Sequence, residues 1–258
     1  MTKLEELRSA IAARTPQAAP GAFVLDGETL IRTGFGSLDA ALGGGFPRGI
    51  IATLEGRAGA GRSAIGGRLL SAATANGGLG ALIESPGSAE GSLYPPALAS
   101  AGIDLKRLLI VPAHDARSVA RAADIIVRSG AFGVVVIPAV KLAATAWTRL
   151  ASLTHRAGAL LVALGVEAPD ELRYFASLRI EVRPSAVQWA GESGPFCALA
   201  GASAEAIVLK HKRAAPGGRA QLARATFETE GPPLAALRER TLPREGVRQP
   251  SFERIIPA

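Results

Sequence analysis

Cysteine is all but missing. Cys197 is the single one in 258 residues, which excludes an internal disulfide and a multi-cysteine metal site. Its flanks, GPFCALAG, are apolar, so it reads as a buried thiol and not as a nucleophile. Aromatic residues make up 5% of the chain, and none interleaves with basic residues as a stacking platform for single-stranded nucleic acid requires. Trp147, Trp189 and Tyr174 are therefore expected in the core or packed on a sheet. His114, His155 and His211 are the three histidines and stand at no metal-ligand spacing. Long apolar runs are also lacking. The most apolar stretch, AFGVVVIPAVKLAATAW, is broken by Pro138 and Lys141 and makes no membrane span. The start, MTKLEELRSA, has no signal-peptide core. These absences predict a cytoplasmic protein without a membrane partner.

What the chain does have is apolar bulk. Hydrophobic residues are 48% and charged residues 20%, enough for a large core and too little charge for global disorder. The formal net charge is +7. That excess suits nucleic acid or an acidic protein partner, and equally an ordinary solvated surface.

The pattern divides into three. Over 1–28, Thr2 and Glu5 form a capping box before a short helix with Leu4, Leu7 and Ile11 on one face, and TPQAAPG follows as a linker. Over 29–230, apolar runs at Ile50–Leu54, Ala81–Ile83, Leu108–Val111, Val134–Ile137 and Leu160–Leu164 alternate with helical segments at Ser63–Ala75, Leu93–Ala101, Arg117–Ser129 and Lys141–Ala157. Continuous apolar strands separated by helices predict an α/β fold, a mostly parallel sheet with helices on both faces. SLRIEVRP, EAIVLKHK and RATFETE then alternate as antiparallel C-terminal strands, with Leu178, Ile180 and Val182 inward. Over 231–258 the chain is rich in Pro and Arg, and reads either as a disordered end or as a partner-binding segment carrying Arg238 and Arg240.

One motif carries chemistry. After the strand IIATL comes EGRAGAGRSA, close to the phosphate-loop pattern G-x-x-x-x-G-K-[S/T]. Gly56, Gly59 and Gly61 supply the glycines and Ser63 the hydroxyl, but Arg62 stands where the lysine belongs. A guanidinium is longer and planar, so it is not equivalent to an ammonium. The plain alternative is a glycine-rich strand-to-helix turn kept for its geometry. Lys210, Lys212, Arg213, Arg219 and Arg224 form a second feature, a basic run without an intervening acid. It reads as a solvated strand face, a protein interface or a nucleic-acid contact.

Several segments together resemble the RecA-like superfamily: IRTGFGSLDAALGGGFPRGIIATLEGRAGAGRSA at the entry to the core, YFASLRIEVRP, and IVLKHKRAAPGGRAQL. Judged by that family's catalytic parts, this chain is degenerate. Arg62 replaces the lysine. Pro86 and Pro138 occupy the positions of the water-activating glutamate and the metal-binding aspartate, and Gly165 stands near the position of the γ-phosphate-sensing glutamine. Glu84 and Glu90 are out of register. Both DNA-binding loops are cut short, whereas Lys210 and Lys212 match the lysines that the family contributes across a subunit interface.

The decay pattern and size resemble the ImuA type of accessory protein within the group that also holds the cell-division inhibitor SulA. The resemblance implies a non-enzymatic adaptor in damage-induced mutagenesis, the SOS response and translesion DNA synthesis. Its implied partners are RecA, the Y-family-like polymerase ImuB and the error-prone replicative-type polymerase of the same complex. No cofactor or metal is expected, although the loop leaves room for ATP binding without efficient hydrolysis. The alternatives are a slow DNA-stimulated ATPase, with Glu84 or Glu90 standing in, and a direct DNA-binding module acting through the basic run.

Overall fold

The computed structural model describes residues 30–75, 77–85, 95–190, 198–214 and 216–224. The helix and linker expected over 1–28, Pro86, Glu90, Cys197, and the segment from 225 onward with Arg238 and Arg240 lie outside the described residues.

An eight-stranded sheet forms the middle layer. Its strands are β3 (Ile50–Glu55), β4 (Leu79–Glu84), β5 (Leu108–Pro112), β6 (Phe132–Pro138), β7 (Leu160–Gly165), β8 (Leu178–Ala190), β9 (Ala198–His211) and β10 (Arg219–Arg224). The spatial order is β10-β9-β8-β3-β7-β6-β4-β5. From β8 to β5 all neighbours are parallel, and β9 and β10 extend the sheet antiparallel. This is the architecture the alternating pattern predicts.

The central strands are buried on both faces, as their unbroken apolar runs require. Within β3, Ala52 and Leu54 join one core cluster and Ile51 the other. The first cluster is covered by α1 (Gly36–Ala41) and α2 (Arg62–Ala75), through Leu38, Ile65 and Leu69. The second lies under α4 (Ala116–Arg128), α5 (Ala144–Ala157) and α6 (Asp170–Phe175), through Val119, Leu150 and Leu172. A further short helix, α3 (Pro95–Ser100), precedes β5.

Local chemistry sets the helix ends. Asp115 caps α4 by accepting from the Ser118 amide at 2.6 Å, while the Asp115 amide donates to Ser118 Oγ at 3.1 Å, a reciprocal cap. Gly158 closes α5 at φ 61°, a left-handed conformation that glycine adopts without strain. α5 begins at Ala144, not at Lys141, because Ala143 is the extended N-cap residue.

Two features were not foreseen. β1 (Leu30–Ile31) and β2 (Phe46–Pro47) pair as a separate antiparallel ribbon before the main sheet. Between them, Asp39 on α1 accepts from the Thr33 amide at 2.9 Å, Thr33 Oγ1 at 2.8 Å and the Gly34 amide at 3.0 Å. This buried carboxylate fixes the TGFG turn against the helix.

Two expectations are corrected. Trp147 is fully buried as expected, but Trp189 is 63% and Tyr174 76% exposed. β8 pairs with β3 only from Leu178 to Glu181. Beyond that its partner among the described residues is β9 alone, which leaves Trp189 outside the part of β8 that flanks the central sheet. Tyr174 lies on α6, whose buried residue is Leu172.

Replacing Asp39 with alanine removes three hydrogen bonds and strands the buried Thr33 amide and hydroxyl. The expected loss of unfolding free energy is about 2–4 kcal/mol, read by urea denaturation. An exposed control, Ser152→Ala, should change it by less than about 0.5 kcal/mol.

Candidate functional site

The site lies at the carboxyl end of β3, where ligands bind in open α/β sheets. The Gly56 amide donates to Gly165 O at 3.2 Å and Val166 O at 3.0 Å, tying the loop to the end of β7. Gly56 has φ 145°, and a Cβ there would sit 2.2 Å from Val182 O. Gly59 and Gly61 also have positive φ, 77° and 104°. The turn closes by Ala60 N–H to Arg57 O at 3.1 Å, and α2 starts at Arg62. The glycines therefore bend the backbone round the amino end of a 14-residue helix, an arrangement able to hold an anion through amides and helix dipole.

The side chains around this cradle differ in burial. Arg62 is 2% exposed, one of the largest fully buried side chains. Ser63 is exposed beside it. Below the loop is a cavity of about 100 Å³. Its walls include Leu70, Leu82, Leu98, Val136, Pro138 and Leu164, with Ser63, Glu84 and Ser85 as polar members. Pro138 ends β6, is buried, and pairs in register with Leu164. A Cβ on Gly165 would lie 2.6 Å from Ala139 Cβ, so that position is closed to any larger side chain unless Ala139 moves. The glycine cradle fits a phosphate group. Pro138 has no oxygen side chain for a divalent cation, so any oxygen ligand in this cavity would come from Ser63, Glu84 or Ser85. No cluster of potential metal ligands exists among the described residues.

One strong polar group at the site escaped the sequence reading. Glu55, the residue before Gly56, is 5% exposed. Arg179 on β8 grips it with both nitrogens, Nε to Oε1 at 2.8 Å and Nη2 to Oε2 at 3.0 Å. Thr53 Oγ1 donates to Oε1 at 2.8 Å and the Ala168 amide to Oε2 at 3.2 Å. Burial by itself would raise the carboxyl pKa, but the Arg179 hydrogen bonds, with Thr53 and Ala168, outweigh it and hold the group below its ordinary 4.5. The sequence offered no local signal for it: Arg179 falls on a regular outward position of its strand pattern, and Glu55 simply follows the apolar run of β3.

The structure brings Gly56, Gly59, Gly61, Arg62 and Ser63 together and sets the basic run apart. Lys212 and Arg213 lie at the other end of β3, beside Gly49 and Ile50. Lys210 Nζ donates to Arg173 O at 2.8 Å and Tyr174 O at 3.0 Å, capping the end of α6. Burial, then the charges of Lys212 and Arg179, push its pKa below the ordinary 10.5. Arg219 faces Glu205 at 3.4 Å across the β9–β10 pair. After β7 the chain carries Glu167, Asp170 and Glu171, with Arg173 paired to Glu167 and, at 3.4 Å, to Asp170.

Comparison with known proteins agrees with this geometry. Residues 25–151 match the RecA N-terminal domain family. Over these residues the chain is similar to that family. Over 223 residues the chain is 26% identical to RecA of a Picosynechococcus species, covering 72% of this chain and 62% of that protein. RecA of Nostoc punctiforme is 34% identical over 110 residues, 43% of this chain and 30% of the relative. The chain thus spans less than two thirds of the length of these relatives. Among solved structures, a RadB recombinase superposes with TM-score 0.57 and 16% identity, over 75% of this chain and 96% of that one. No helix among the described residues is long and apolar enough to cross a membrane.

Removing Glu55 leaves the partly buried Arg179 guanidinium without its carboxylate. Glu55→Ala should therefore lower unfolding free energy by about 3–5 kcal/mol, and Glu55→Met combined with Arg179→Met should recover most of it. The folded carboxyl titrates below the ordinary 4.5. Its contribution is thus complete above that value and is lost as pH falls through the depressed folded value. Urea unfolding from neutral to acid pH should show this loss in the wild type and a shallower one in the double methionine variant.

Proposed function

We propose that this chain is a non-catalytic RecA-like adaptor in damage-induced mutagenesis. It binds RecA, a Y-family-like polymerase of the ImuB type, or both, and so supports translesion synthesis or limits RecA filaments. The observation that carries the catalytic half of this reading is Pro138. It is buried at the carboxyl end of β6, in the wall of an apolar cavity under the loop. Phosphoryl transfer works by positioning and electrostatics around a metal-bound phosphate, and Pro138 offers neither ligand nor charge at that position. Arg62, buried at 2% exposure, and Gly165, closed in by Ala139, support the same conclusion. The partner half rests on the sequence resemblance to ImuA-type proteins and on the core shared with the RecA relatives.

The test has two arms. Purified full-length chain should hydrolyse ATP no faster than an Arg62→Ala variant, with or without single-stranded DNA. Hydrolysis that disappears in Arg62→Ala would sink the non-catalytic reading. Separately, the tagged chain should co-purify with RecA or with the polymerase from damaged cells. Failure to retain either one would count against the adaptor role.

The glycine cradle favours a second, compatible reading. Its positive-φ glycines and the amino end of α2 remain arranged for a phosphate, so the chain holds nucleotide without turning it over. Equilibrium dialysis with labelled ATP should then give the same affinity in magnesium and in chelator. Binding that requires magnesium would contradict it.

A further inference from the structure

The outward face of α4 and α5 is strongly cationic. Arg117, Arg121, Ile125 and Arg128 follow at steps of four, four and three, so they share one exposed stripe of α4. Arg149 and Arg156 are exposed on the neighbouring α5. Asp124 lies between the helices and binds two of these cations, Arg149 through Nε at 2.6 Å and Arg128. The Arg149 hydrogen bond, then Arg128, holds the Asp124 carboxyl below its ordinary 3.8. Asp115, the other nearby acid, is engaged in the α4 cap. Cations in the last turn of a helix complement its dipole, which accounts for Arg128 and Arg156. Arg117 stands in the first turn, where a cation opposes the dipole, so helix stability does not account for it.

Apolar surface accompanies the charge. Ile125 is 60% exposed within the arginine stripe. Beside it, between the carboxyl ends of the two helices, is a shallow groove of about 500 Å³. Val127, Leu153 and Ala157 form its floor, and Arg128, Arg149 and Arg156 its rim. Asp124 fixes two of the rim guanidiniums in advance, which lowers the ordering cost of a partner's carboxylates.

We infer that this face docks an acidic amphipathic segment of another protein: an apolar side chain in the groove and against Ile125, with aspartates or glutamates on the arginine rim. A nucleic-acid backbone fits less well. It presents nothing apolar to cover Ile125, and Asp124 sits in the middle of the face. The chain's own end does not complement it either, since Arg238, Arg240, Arg244, Arg248 and Arg254 outnumber Glu239, Glu245 and Glu253. The surface lies across the sheet from α2 and is independent of the phosphate loop and of the adaptor reading.

The probe is a short fluorescein-labelled peptide of aspartates and glutamates around two leucines, titrated into the full chain and followed by anisotropy. Arg121→Glu with Arg156→Glu should weaken binding by at least about tenfold, and Ile125→Ser by about three- to fivefold. The same peptide with serines for leucines should bind more weakly to the wild type. These substituted residues are exposed, so urea unfolding should confirm an intact fold. Should the double variant fail that check, Arg117→Glu replaces it, with the same direction expected. Absence of binding, or binding indifferent to these variants or to the loss of the leucines, overturns the proposal. So does oligothymidylate that displaces the peptide at lower concentration and loses binding in the same variants. Concentration-dependent self-association of the wild type that the charge variants abolish would reassign the face to a second copy, through the acidic stretch Glu167, Asp170 and Glu171, and would likewise overturn it.

Discussion

The Glu55–Arg179 pair is the constraint on which the site depends. It joins three segments at one point: the end of β3 through Glu55, the start of β8 through Arg179, and the chain after β7 through the Ala168 amide. Gly56 follows immediately, so the phosphate-type loop starts from a strand end held on both sides. A buried ion pair is weak evidence of net stability when compared with an apolar replacement, but it is costly to break from one side. Here it acts chiefly as a positional lock: a shift of β8 or of the segment after β7 must either break these bonds or carry the loop's base with it.

Much of the fold was legible in the sequence. Ile50–Leu54, Val134–Ile137 and Leu160–Leu164 are short runs, apolar but for Thr53, and their length, their β-branched residues and the helical segments between them mark them as strands buried on both faces. The alternation of Leu178, Ile180 and Val182 showed which side of β8 meets the core, and all three are buried. The loop glycines were legible too, because spacing alone specifies that turn. The Glu55–Arg179 pair was not, since its members stand 124 residues apart and neither has a local signature. Trp189 and Tyr174 were misplaced for a different reason. Residue type sets a preference for burial, but exposure depends on where a neighbouring strand stops, and β3 stops beside Glu181.

The basic run illustrates the difference between sequence proximity and a site. Lys210, Lys212 and Arg213 are adjacent in the chain but serve different surroundings. Lys210 is turned to the carbonyls at the end of α6, whereas Lys212 and Arg213 reach the amino end of β3. Arg219 is across a strand pair from Glu205. Among the described residues, a group of exposed arginines lies instead on α4 and α5, where helical periodicity spreads them through the sequence and hides them from a search for consecutive charge.

Gly165 has a consequence beyond its own position. A side chain placed at Gly165 would meet Ala139 Cβ at 2.6 Å, and Ala139 is itself held to β7 by its amide, which donates to Leu164 O at 2.6 Å. The end of β7 and the segment after Pro138 therefore behave as one packed unit. A change of residue size at either reaches the other, and through the Gly56 amide on Gly165 O it reaches the base of the loop.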